Sequence, residues 1–338
     1  MLHISIDFTK TKLINTVLAN NPLMIAIATL PIASLLCILG ILFLYFGGEA
    51  VVRGSAQTAY RLGVKPIIIG LTVVAYGTSL PEYGVSFIAT LSNRSEIAVG
   101  NIVGSTICNI LLILGISAIV KPLKIEKEVV KREVPIMLLA TLILVAFSLR
   151  LVLDIFAGIV LLACFTAYII FFVWIAKRTL SDNYRLEAKP MWLNIIFIMA
   201  GLVGIIIGAR LLVESAVFIA NVIGIPKAVI ALTLIAVGTS LPELAVSVIA
   251  TYRGQADISV GNIIGSNIFN VLLILGSCSL VAPLLISTKL LITIFISLIA
   301  YAIIIPMLYT GYRLCRVEGV ILLFGYALYL AYLFIFCS

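Results

Sequence analysis

Residues 77–82 read GTSLPE, and residues 238–243 read GTSLPE again. Each copy is followed, at the same distance, by a second shared motif: GNIVGSTICN ends at Asn109, and GNIIGSNIFN ends at Asn270. From residue 77 to residue 115 the copies align without a gap at a constant offset of 161, and 25 of the 39 aligned positions are identical. The chain is therefore an internal duplication, and its architecture should be derived from one repeated unit.

The composition sets the environment of this unit. The 338 residues are 63% hydrophobic and only 11% charged, and apolar runs of about 20 residues follow one another to the C-terminus. This pattern predicts an all-α polytopic membrane protein. A net charge of +8 would suggest nucleic-acid binding in a soluble protein, but these positive residues lie in short loops between spans, where they set orientation. Nucleic-acid binding is therefore disfavoured.

Ten transmembrane helices are predicted, five in each copy. They lie at about 24–50, 66–91, 97–119, 134–150 and 154–176, and then at about 193–214, 226–252, 258–283, 288–309 and 317–336. The corresponding divisions of the chain are an N-terminal extension with the start of the first span (1–30), a first repeat (31–176), a loop (177–190) and a second repeat (191–338). Pro31 is expected to divide the first span.

An odd number of spans in each repeat fixes the relation between the two copies. The second copy must enter the membrane from the opposite side, so the ten spans are predicted to form two inverted repeats. Of the 22 Lys and Arg residues, 15 fall in the alternate loops on one side. That side is predicted to be cytoplasmic, with both termini outside and the 177–190 loop inside. The expected location is the inner membrane of a prokaryotic cell.

Two acidic residues lie deep within apolar segments. They are Glu82 and Glu243, which end the two GTSLPE motifs, whereas the other acids fall in the extension, in loops or near span ends. An ionisable residue inside the membrane usually faces a cavity and marks an ion or proton pathway. A structural pair with Lys or Arg is the alternative, but no basic residue lies deep in a predicted span. The two acids are therefore the primary candidates for ion binding.

The same motif predicts a broken helix. Gly77 disfavours a continuing helix and Pro81 is tolerated only in a first turn, so the second span should consist of two half-helices joined near Thr78 and Ser79. The seventh span should be broken in the same way, and both acids should lie at the positive end of a second half-helix. Carbonyl groups freed by these breaks would face the cavity. Those expected to be freed belong to Ala75 and Ala236.

The second motif predicts a polar stripe beside the broken helices. Asn109 lies four residues after Ser105, and Asn270 lies four residues after Ser266, so each pair shares a helix face. The glycines of this motif are explained by close helix packing. For the Ser and Asn residues of each copy, interhelical hydrogen bonding and cation binding are equally good interpretations, and the repetition of the whole set favours cation binding.

The donor set and its charge predict the ion and the mode of transport. Carboxylate, hydroxyl, amide and carbonyl oxygens favour hard cations such as Ca²⁺, Na⁺ or Mg²⁺ over zinc or copper. Two ionised carboxylates are neutralised by one Ca²⁺, whereas reorienting an empty site would leave buried charge uncompensated at several kcal/mol per ion. The site should therefore reorient only when loaded, which is antiport by alternating access.

The paired GTSLPE and GNxxGSxxxN motifs, on ten spans in inverted repeats, resemble the sodium/calcium exchanger family of the calcium:cation antiporter superfamily, particularly its compact prokaryotic members. The resemblance covers nearly the whole chain after residue 30. It implies a secondary transporter rather than an enzyme, with Ca²⁺ and Na⁺ as transported ions and no resident cofactor. The 177–190 loop is too short for the regulatory domains of animal exchangers.

The resemblance also implies a set of ion-binding residues. By position these are Ala75, Thr78, Ser79, Glu82, Ser105 and Asn109 in the first half, and Ala236, Thr239, Ser240, Glu243, Ser266 and Asn270 in the second. The implied metal ligands among them are Glu82, Glu243, Thr78 and Thr239. Some relatives carry Asp at the position of Asn270, so the number of sodium ions and any potassium dependence stay open.

Three alternatives remain at this point. A calcium/proton exchanger of the same superfamily would use the same buried acids. A channel would need neither the duplication nor a charge-dependent reorientation. An intramembrane aspartyl protease requires two Asp sharing a proton, whereas this chain offers Glu.

Two further pairs of charged residues are interpreted as ion pairs on helix surfaces near span ends. Glu49 and Arg53 are four residues apart in the first half, and Arg210 and Glu214 are four apart in the second. The six cysteines lack metal-site spacing and are interpreted as small apolar residues.

Overall fold

A computed structural model of the protein describes residues 22–178, 190–224 and 236–336, and these segments are almost entirely helical. Most of the predicted extension (1–30) and of the 177–190 loop, and the start of the seventh span, lie outside the described residues. Seven of the described helices are long and apolar enough to cross a membrane.

The first half begins with the long helix α1, Pro22–Leu62. It continues with α2 (Pro66–Thr78), α3 (Leu80–Leu91), α4 (Ser95–Val120), the short strand β1 (Leu123–Lys124), α5 (Lys127–Ser148), β2 (Val152–Leu153) and α6 (Ile155–Arg178). Helices α2 and α4 each contain a wide π-helical segment, at Gly70–Val74 and Cys108–Ile113.

The second half repeats this order. It contains α7 (Met191–Val222), the helical turn α8 (Ala236–Gly238), α9 (Leu241–Tyr252), α10 (Ala256–Val281), β3 (Leu284–Leu285), α11 (Thr288–Tyr309), β4 (Arg313–Leu314) and α12 (Arg316–Phe336). Helix α10 has its π-helical segment at Phe269–Leu275, close to the position equivalent to the one in α4.

The described helices correct two expectations from the sequence. Pro31 does not divide the first span, because α1 runs through it without interruption. Pro135 likewise lies inside α5, which begins at Lys127 rather than near residue 134, so part of the loop expected between the third and fourth spans is helical. The charged residues in the first turns of α5 exclude it from the seven apolar helices. Helices α2, α3 and α9 are too short to be counted among them.

Helices α1 and α7 occupy equivalent places in the two repeats and pack against each other in opposite directions. A Cβ atom added to Gly40 would lie 2.9 Å from the carbonyl oxygen of Gly208, and one added to Gly47 would lie 2.8 Å from that of Gly201. The residue numbers rise along α1 as they fall along α7, so the helices are antiparallel. The offset of 161 relates Gly40 to Gly201 and Gly47 to Gly208, so the two contacts exchange when the halves are exchanged.

The short strands also form contacts that exchange when the two halves are exchanged. Leu123 of β1 pairs with Leu314 of β4, and Leu153 of β2 pairs with Leu284 of β3. Both pairs join one half to the other, and the offset of 161 converts one pair into the other. These contacts show that the duplication continues well beyond the two motifs.

Helices α4 and α10 form the buried centre of the molecule. In an apolar segment of 18 residues, 78% of the residues of α4 and 83% of those of α10 are buried, against 17% for such a segment of α1. Glycines allow α10 to lie directly on α2: a Cβ atom on Gly261 would be 2.9 Å from the backbone of Ile67 and Leu71, and one on Gly265 would be 2.6 Å from the Leu71 carbonyl oxygen. Helix α10 therefore lies beside the first part of the broken second span, and α4 contacts α3 and α8.

Two acids outside the motifs are more buried than the sequence suggested. Glu133 is fully buried in α5 and pairs with Arg132 at 2.5 Å. Glu49 is also buried, and it binds Arg53 on its own helix and Arg253 at the end of α9, at 2.8 Å. The predicted pair of Glu49 with Arg53 is confirmed, but its placement of Glu49 on the helix surface is wrong, because α1 extends past this residue and packs against the second half. Arg210 and Glu214 do form an exposed pair, at 2.7 Å.

Candidate ion-binding site

The two GTSLPE motifs form matching breaks in the helical structure. Ser79 separates α2 from α3, with φ −83° and ψ 4°. Thr239 and Ser240 separate α8 from α9, and Ser240 has φ −88° and ψ 5°. Pro81 and Pro242 lie in the first turns of α3 and α9, where a proline fits because the first amides of a helix have no intrahelical acceptor. The predicted break of the second span is confirmed. The described end of the seventh span, from Ala236, is interrupted at the equivalent place, and the start of that span lies outside the described residues.

The breaks place one acid at the start of each following helix. Glu82 is the third residue of α3 and Glu243 is the third residue of α9, and the side chains of both are completely buried. Backbone N–H groups at a helix N-terminus carry partial positive charge that stabilises a nearby carboxylate. In the described part of the chain, neither acid forms an ion pair with Lys, Arg or His within 4 Å.

Glu82 is held by serines from two elements. Its Oε1 atom accepts hydrogen bonds from Ser105 of α4 at 3.2 Å and from Ser240 of the second-half break at 3.4 Å. The two serine hydroxyls are 2.8 Å apart. A residue of the second half therefore contacts the acid of the first half.

Glu243 has the reciprocal contact. Its Oε1 atom accepts a hydrogen bond from Ser79 of the first-half break at 3.0 Å. Exchange of the halves converts this bond into the bond between Ser240 and Glu82, so each serine at a break binds the acid of the other copy. The two carboxylates thereby belong to one connected polar cluster at the contact between the halves.

Each carboxylate has one oxygen without a hydrogen-bond donor in the described structure. These atoms are Oε2 of Glu82 and Oε2 of Glu243, and both are buried. Leaving a buried polar atom unpaired costs about 1–3 kcal/mol, and more when the group is charged. Two such atoms in one cluster are available to groups that the described residues do not supply. Carboxylate and hydroxyl oxygens are ligands typical of Ca²⁺ and Na⁺ rather than of zinc or copper.

Two asparagines that the sequence analysis did not select connect the breaks to the second motifs. Asn101 donates to the backbone carbonyl of Glu82 at 3.2 Å and to Ser86 at 3.0 Å. Asn262 makes the same two bonds in the second half, to the carbonyl of Glu243 at 3.4 Å and to Ser247 at 3.0 Å. The Gly-Asn pair that opens both second motifs was the available signal, since both copies contain it.

These asparagines also hold the threonines of the breaks. Thr78 donates to the side-chain oxygen of Asn262 at 3.0 Å, and Thr239 donates to that of Asn101 at 3.3 Å. Each bond again crosses from one half to the other. The predicted site residues Thr78 and Thr239 are therefore in the cluster, in positions related by the exchange.

The carbonyl group of Ala75 differs from its predicted state. It accepts hydrogen bonds from the Ser79 amide at 3.1 Å and from the Ser266 hydroxyl at 3.3 Å, so it is bonded rather than free. The reason is that the helix is interrupted at a single residue and its last turn keeps its backbone bond. In the second half the equivalent amide, that of Ser240, donates instead to the carbonyl of Val237 at 3.0 Å. Ala236 begins this turn.

The last predicted residues lie in the π-helical segments. Asn109 and Asn270 are both fully buried, but their surroundings differ. Asn109 donates to Asn267 at 3.0 Å, whereas neither polar atom of the Asn270 side chain has a hydrogen-bond partner in the described residues. π-Helical segments inside α-helices are frequently found at functional sites.

A cavity of about 510 Å³ reaches the edge of the cluster. Among the residues that line it are Asn101 and Thr239 at the inner end, and Glu96, Ser287 and Lys289 where α4 and α11 begin. On the equivalent face of α10, α2 lies directly on Gly261 and Gly265. Residues 227–235, which the offset of 161 relates to residues 66–74 of α2, lie outside the described residues.

The two repeats match a family model described as sodium/calcium exchanger protein, over residues 32–174 and 193–335. These segments begin and end 161 residues apart, which is the offset of the motifs. Together they cover most of the chain.

Curated relatives agree with this match. The chain is 34% identical to "Sodium/calcium exchanger MaX1" of Methanosarcina acetivorans over 89% of its own length and 98% of the relative's. It is 38% identical to "Putative antiporter CaxA" of Alkalimonas amylolytica over 75% of its own length and 82% of the relative's. These relatives are named as an exchanger and an antiporter, which are transporters rather than enzymes.

A solved structure has the same fold. The sodium-calcium exchanger NCX_Mj superposes with a TM-score of 0.78 at 32% identity, over 89% of this chain and 98% of that one. The duplicated motifs, the apolar helices and the cluster around two buried acids are thus found in a chain that matches this membrane fold almost from end to end. The protein belongs to the sodium/calcium exchanger family and is an integral membrane antiporter.

Proposed function

We propose that the protein exchanges Ca²⁺ for Na⁺ across the membrane by alternating access, with the ions bound between Glu82 and Glu243. The observation that carries this proposal is the buried pair of carboxylates, each with an unpaired oxygen and no basic partner in the described structure. The names of the relatives and of NCX_Mj support the choice of ions.

The proposed ligands are the oxygen-bearing residues of the two motifs. Glu82, Glu243, Thr78 and Thr239 bind the metal, and the remaining ion-binding positions are Ala75, Ser79, Ser105, Asn109, Ala236, Ser240, Ser266 and Asn270. The hydroxyl groups of Ser79, Ser105 and Ser240 donate to the carboxylates. Those of Thr78 and Thr239 donate to asparagine side-chain oxygens, and that of Ser266 donates to the Ala75 carbonyl. Rotation of a serine or threonine hydroxyl presents its lone pairs to a cation without moving the backbone, so these hydrogen bonds occupy the places that metal–oxygen bonds would take.

Charge neutralisation explains why the ions exchange rather than leak. The two carboxylates carry a charge of −2 that one Ca²⁺ cancels, and the hydrogen bonds from serine do not cancel it. Moving uncompensated charge through a weakly polarisable interior costs several kcal/mol per ion. The site therefore moves between the state open to one side of the membrane and the state open to the other only when it holds Ca²⁺ or enough Na⁺. A ligand shifts the equilibrium between these two states by its difference in affinity for them.

The proposed architecture is ten spans in two inverted repeats, comprising residues 31–176 and 191–338. The antiparallel packing of the equivalent helices α1 and α7 supports it, because equivalent helices run in opposite directions only when one repeat is inverted. The broken second and seventh spans provide the site at the contact of the repeats. Rocking of one part of the molecule against the other then exposes the site to the two sides of the membrane in turn.

The proposed topology has both termini outside and the 177–190 loop in the cytoplasm. The proposed location is the inner membrane of a prokaryotic cell.

Transport of radioactive ⁴⁵Ca²⁺ into vesicles reconstituted with the purified protein tests the function. We expect uptake when the vesicles contain Na⁺ and the outer buffer does not, and no uptake when Na⁺ is equal on both sides. Uptake driven by an outward proton gradient alone would identify a calcium/proton exchanger and contradict the proposal. Uptake that needs no internal counter-ion would indicate a channel, and omission of K⁺ in a parallel sample tests for potassium dependence.

A further inference from the structure

The two π-helical asparagines are equivalent by sequence, but only one is fixed in orientation. Asn109 lies beside Asn267, and the residue of the first half equivalent to Asn267 is Thr106. Asn267 lies beside Met137, and the residue of the second half equivalent to Met137 is Leu298. At both positions, therefore, the two halves carry side chains with different hydrogen-bonding capacity.

A chain of hydrogen bonds fixes the side-chain amide of Asn109. The thioether sulfur of Met137 accepts hydrogen bonds and cannot donate, so the amide nitrogen of Asn267, 3.7 Å away, must face it. The side-chain oxygen of Asn267 then faces Asn109 and accepts from its Nδ2 atom at 3.0 Å. The Oδ1 atom of Asn109 is consequently directed away from this chain, and it is buried without a partner in the described residues.

The second half has no such chain. The Thr106 hydroxyl donates to the carbonyl of Val103 on its own helix, at 2.8 Å. Leu298 offers neither a donor nor an acceptor. Both polar atoms of the Asn270 side chain are unpaired, so nothing in the described structure distinguishes its oxygen from its nitrogen.

We propose that Asn267 and Met137 are positioning residues that fix the Asn109 amide with its oxygen toward the bound cation, so that only the first half presents a pre-oriented amide ligand. This inference rests on the proposed function. An amide that rotates freely presents its NH₂ group to a cation as readily as its oxygen. Fixing the amide beforehand removes that unfavourable orientation and the entropy cost of choosing one, as neighbouring groups do for metal ligands in other proteins.

Replacing Asn267 with Thr tests the proposal with a side chain that the other half tolerates at the same position. We expect the Ca²⁺ concentration for half-maximal uptake to rise by roughly 10-fold, as for loss of a group that orients a metal ligand. The maximal rate should stay within about 2-fold, because the buried carboxylates are intact. Met137→Leu removes only the sulfur acceptor and should raise the half-maximal concentration by about 2- to 3-fold, since a thioether is a weak acceptor.

A double-mutant cycle distinguishes positioning from packing. In Asn109→Ala protein there is no amide to orient, so adding Asn267→Thr should leave the Ca²⁺ dissociation constant, measured by calorimetry on purified protein, unchanged within about 2-fold. Thr106→Val is the matched control at the equivalent position, and it should bind Ca²⁺ like the wild type.

The outcomes separate this inference from the proposed function. Wild-type protein that shows no Na⁺-driven uptake contradicts the proposed function itself. Wild-type exchange together with wild-type Ca²⁺ affinity in Asn267→Thr contradicts the inference alone. An equal loss of affinity from Asn267→Thr in the presence and absence of the Asn109 amide also overturns it, because that result indicates packing.

Discussion

Glu82→Gln and Glu243→Gln are each expected to abolish Na⁺-driven Ca²⁺ uptake while leaving a folded protein. Glutamine has nearly the shape of glutamate and keeps an oxygen that accepts the serine hydrogen bonds, so the change is mainly one of charge. Coulomb's law with an effective dielectric constant of about 20 gives on the order of 4 kcal/mol for unit charges about 4 Å apart, and Ca²⁺ carries two. We therefore expect the Ca²⁺ dissociation constant to rise by at least about 100-fold.

The control for this prediction is Glu214→Gln, which makes the same chemical change in an exposed ion pair on α7. Exposed pairs contribute about 0–1 kcal/mol, so exchange by this variant should match the wild type within about 2-fold. Size-exclusion chromatography and thermal unfolding establish that each variant is folded. A folded Glu82→Gln or Glu243→Gln protein that exchanges Ca²⁺ at the wild-type rate would refute the assignment of that acid to the site.

Gly265→Ala is expected to damage both the fold and transport. The added Cβ atom would lie 2.6 Å from the Leu71 carbonyl oxygen and 2.6 Å from the Cβ atom of Ala75, which is closer than side chains approach. Relief requires α2 to move away from α10, and this movement breaks the bond between Ser266 and the Ala75 carbonyl. Overpacking of this kind costs about 1–3 kcal/mol. We expect the unfolding temperature of the purified protein to fall and the uptake rate to fall at least about 10-fold.

Gly84→Ala is the matched control for Gly265→Ala. A Cβ atom on Gly84 meets no atom of the described structure within 4 Å, and the equivalent residue of the second half is already Ala245. Alanine also stabilises a helix interior by roughly 0.5–1 kcal/mol relative to glycine. This variant should unfold at the same temperature as the wild type or at a higher one. Wild-type stability and transport in Gly265→Ala would show that α2 and α10 are not packed as described.

The sequence predicts the site where a residue type is costly in its environment. Glu82 and Glu243 stand out because a carboxylate in an apolar run has few explanations other than function. The helix breaks at Ser79 and Ser240 follow from Pro81 and Pro242, whose positions in a helix are restricted. Duplication makes these local signals specific, since both copies carry them.

The contacts that cross between the halves are not accessible to the same reasoning. Asn101 and Asn262 look like ordinary polar residues of a packing motif, and only the folded structure brings them to Thr239 and Thr78. The link from Glu49 to Arg253 joins residues 204 positions apart, whereas Arg53 is a neighbour on the same helix. Sequence spacing reveals local pairs of this kind but not the tertiary ones.

Helix ends were also less predictable than helix positions. The hydrophobic signal of the first span ends near residue 50, but α1 continues to Leu62 because its last turns pack against other helices, with Gly54 lying against Asn194 and Ile198 of α7. The bonded state of the Ala75 carbonyl similarly depends on Ser266, which lies 191 residues away. Tertiary packing decides both features.

Locating bound metal in a structure determined with Ca²⁺ or its heavier analogue Sr²⁺ tests the central claim most directly. We expect one site within about 2.3–2.6 Å of carboxylate oxygens from both Glu82 and Glu243, with hydroxyl or carbonyl oxygens completing the coordination. The serine hydrogen bonds to the carboxylates should be broken or turned in that structure. Metal bound elsewhere, or bound to only one of the two acids in protein that carries out exchange, would contradict the account.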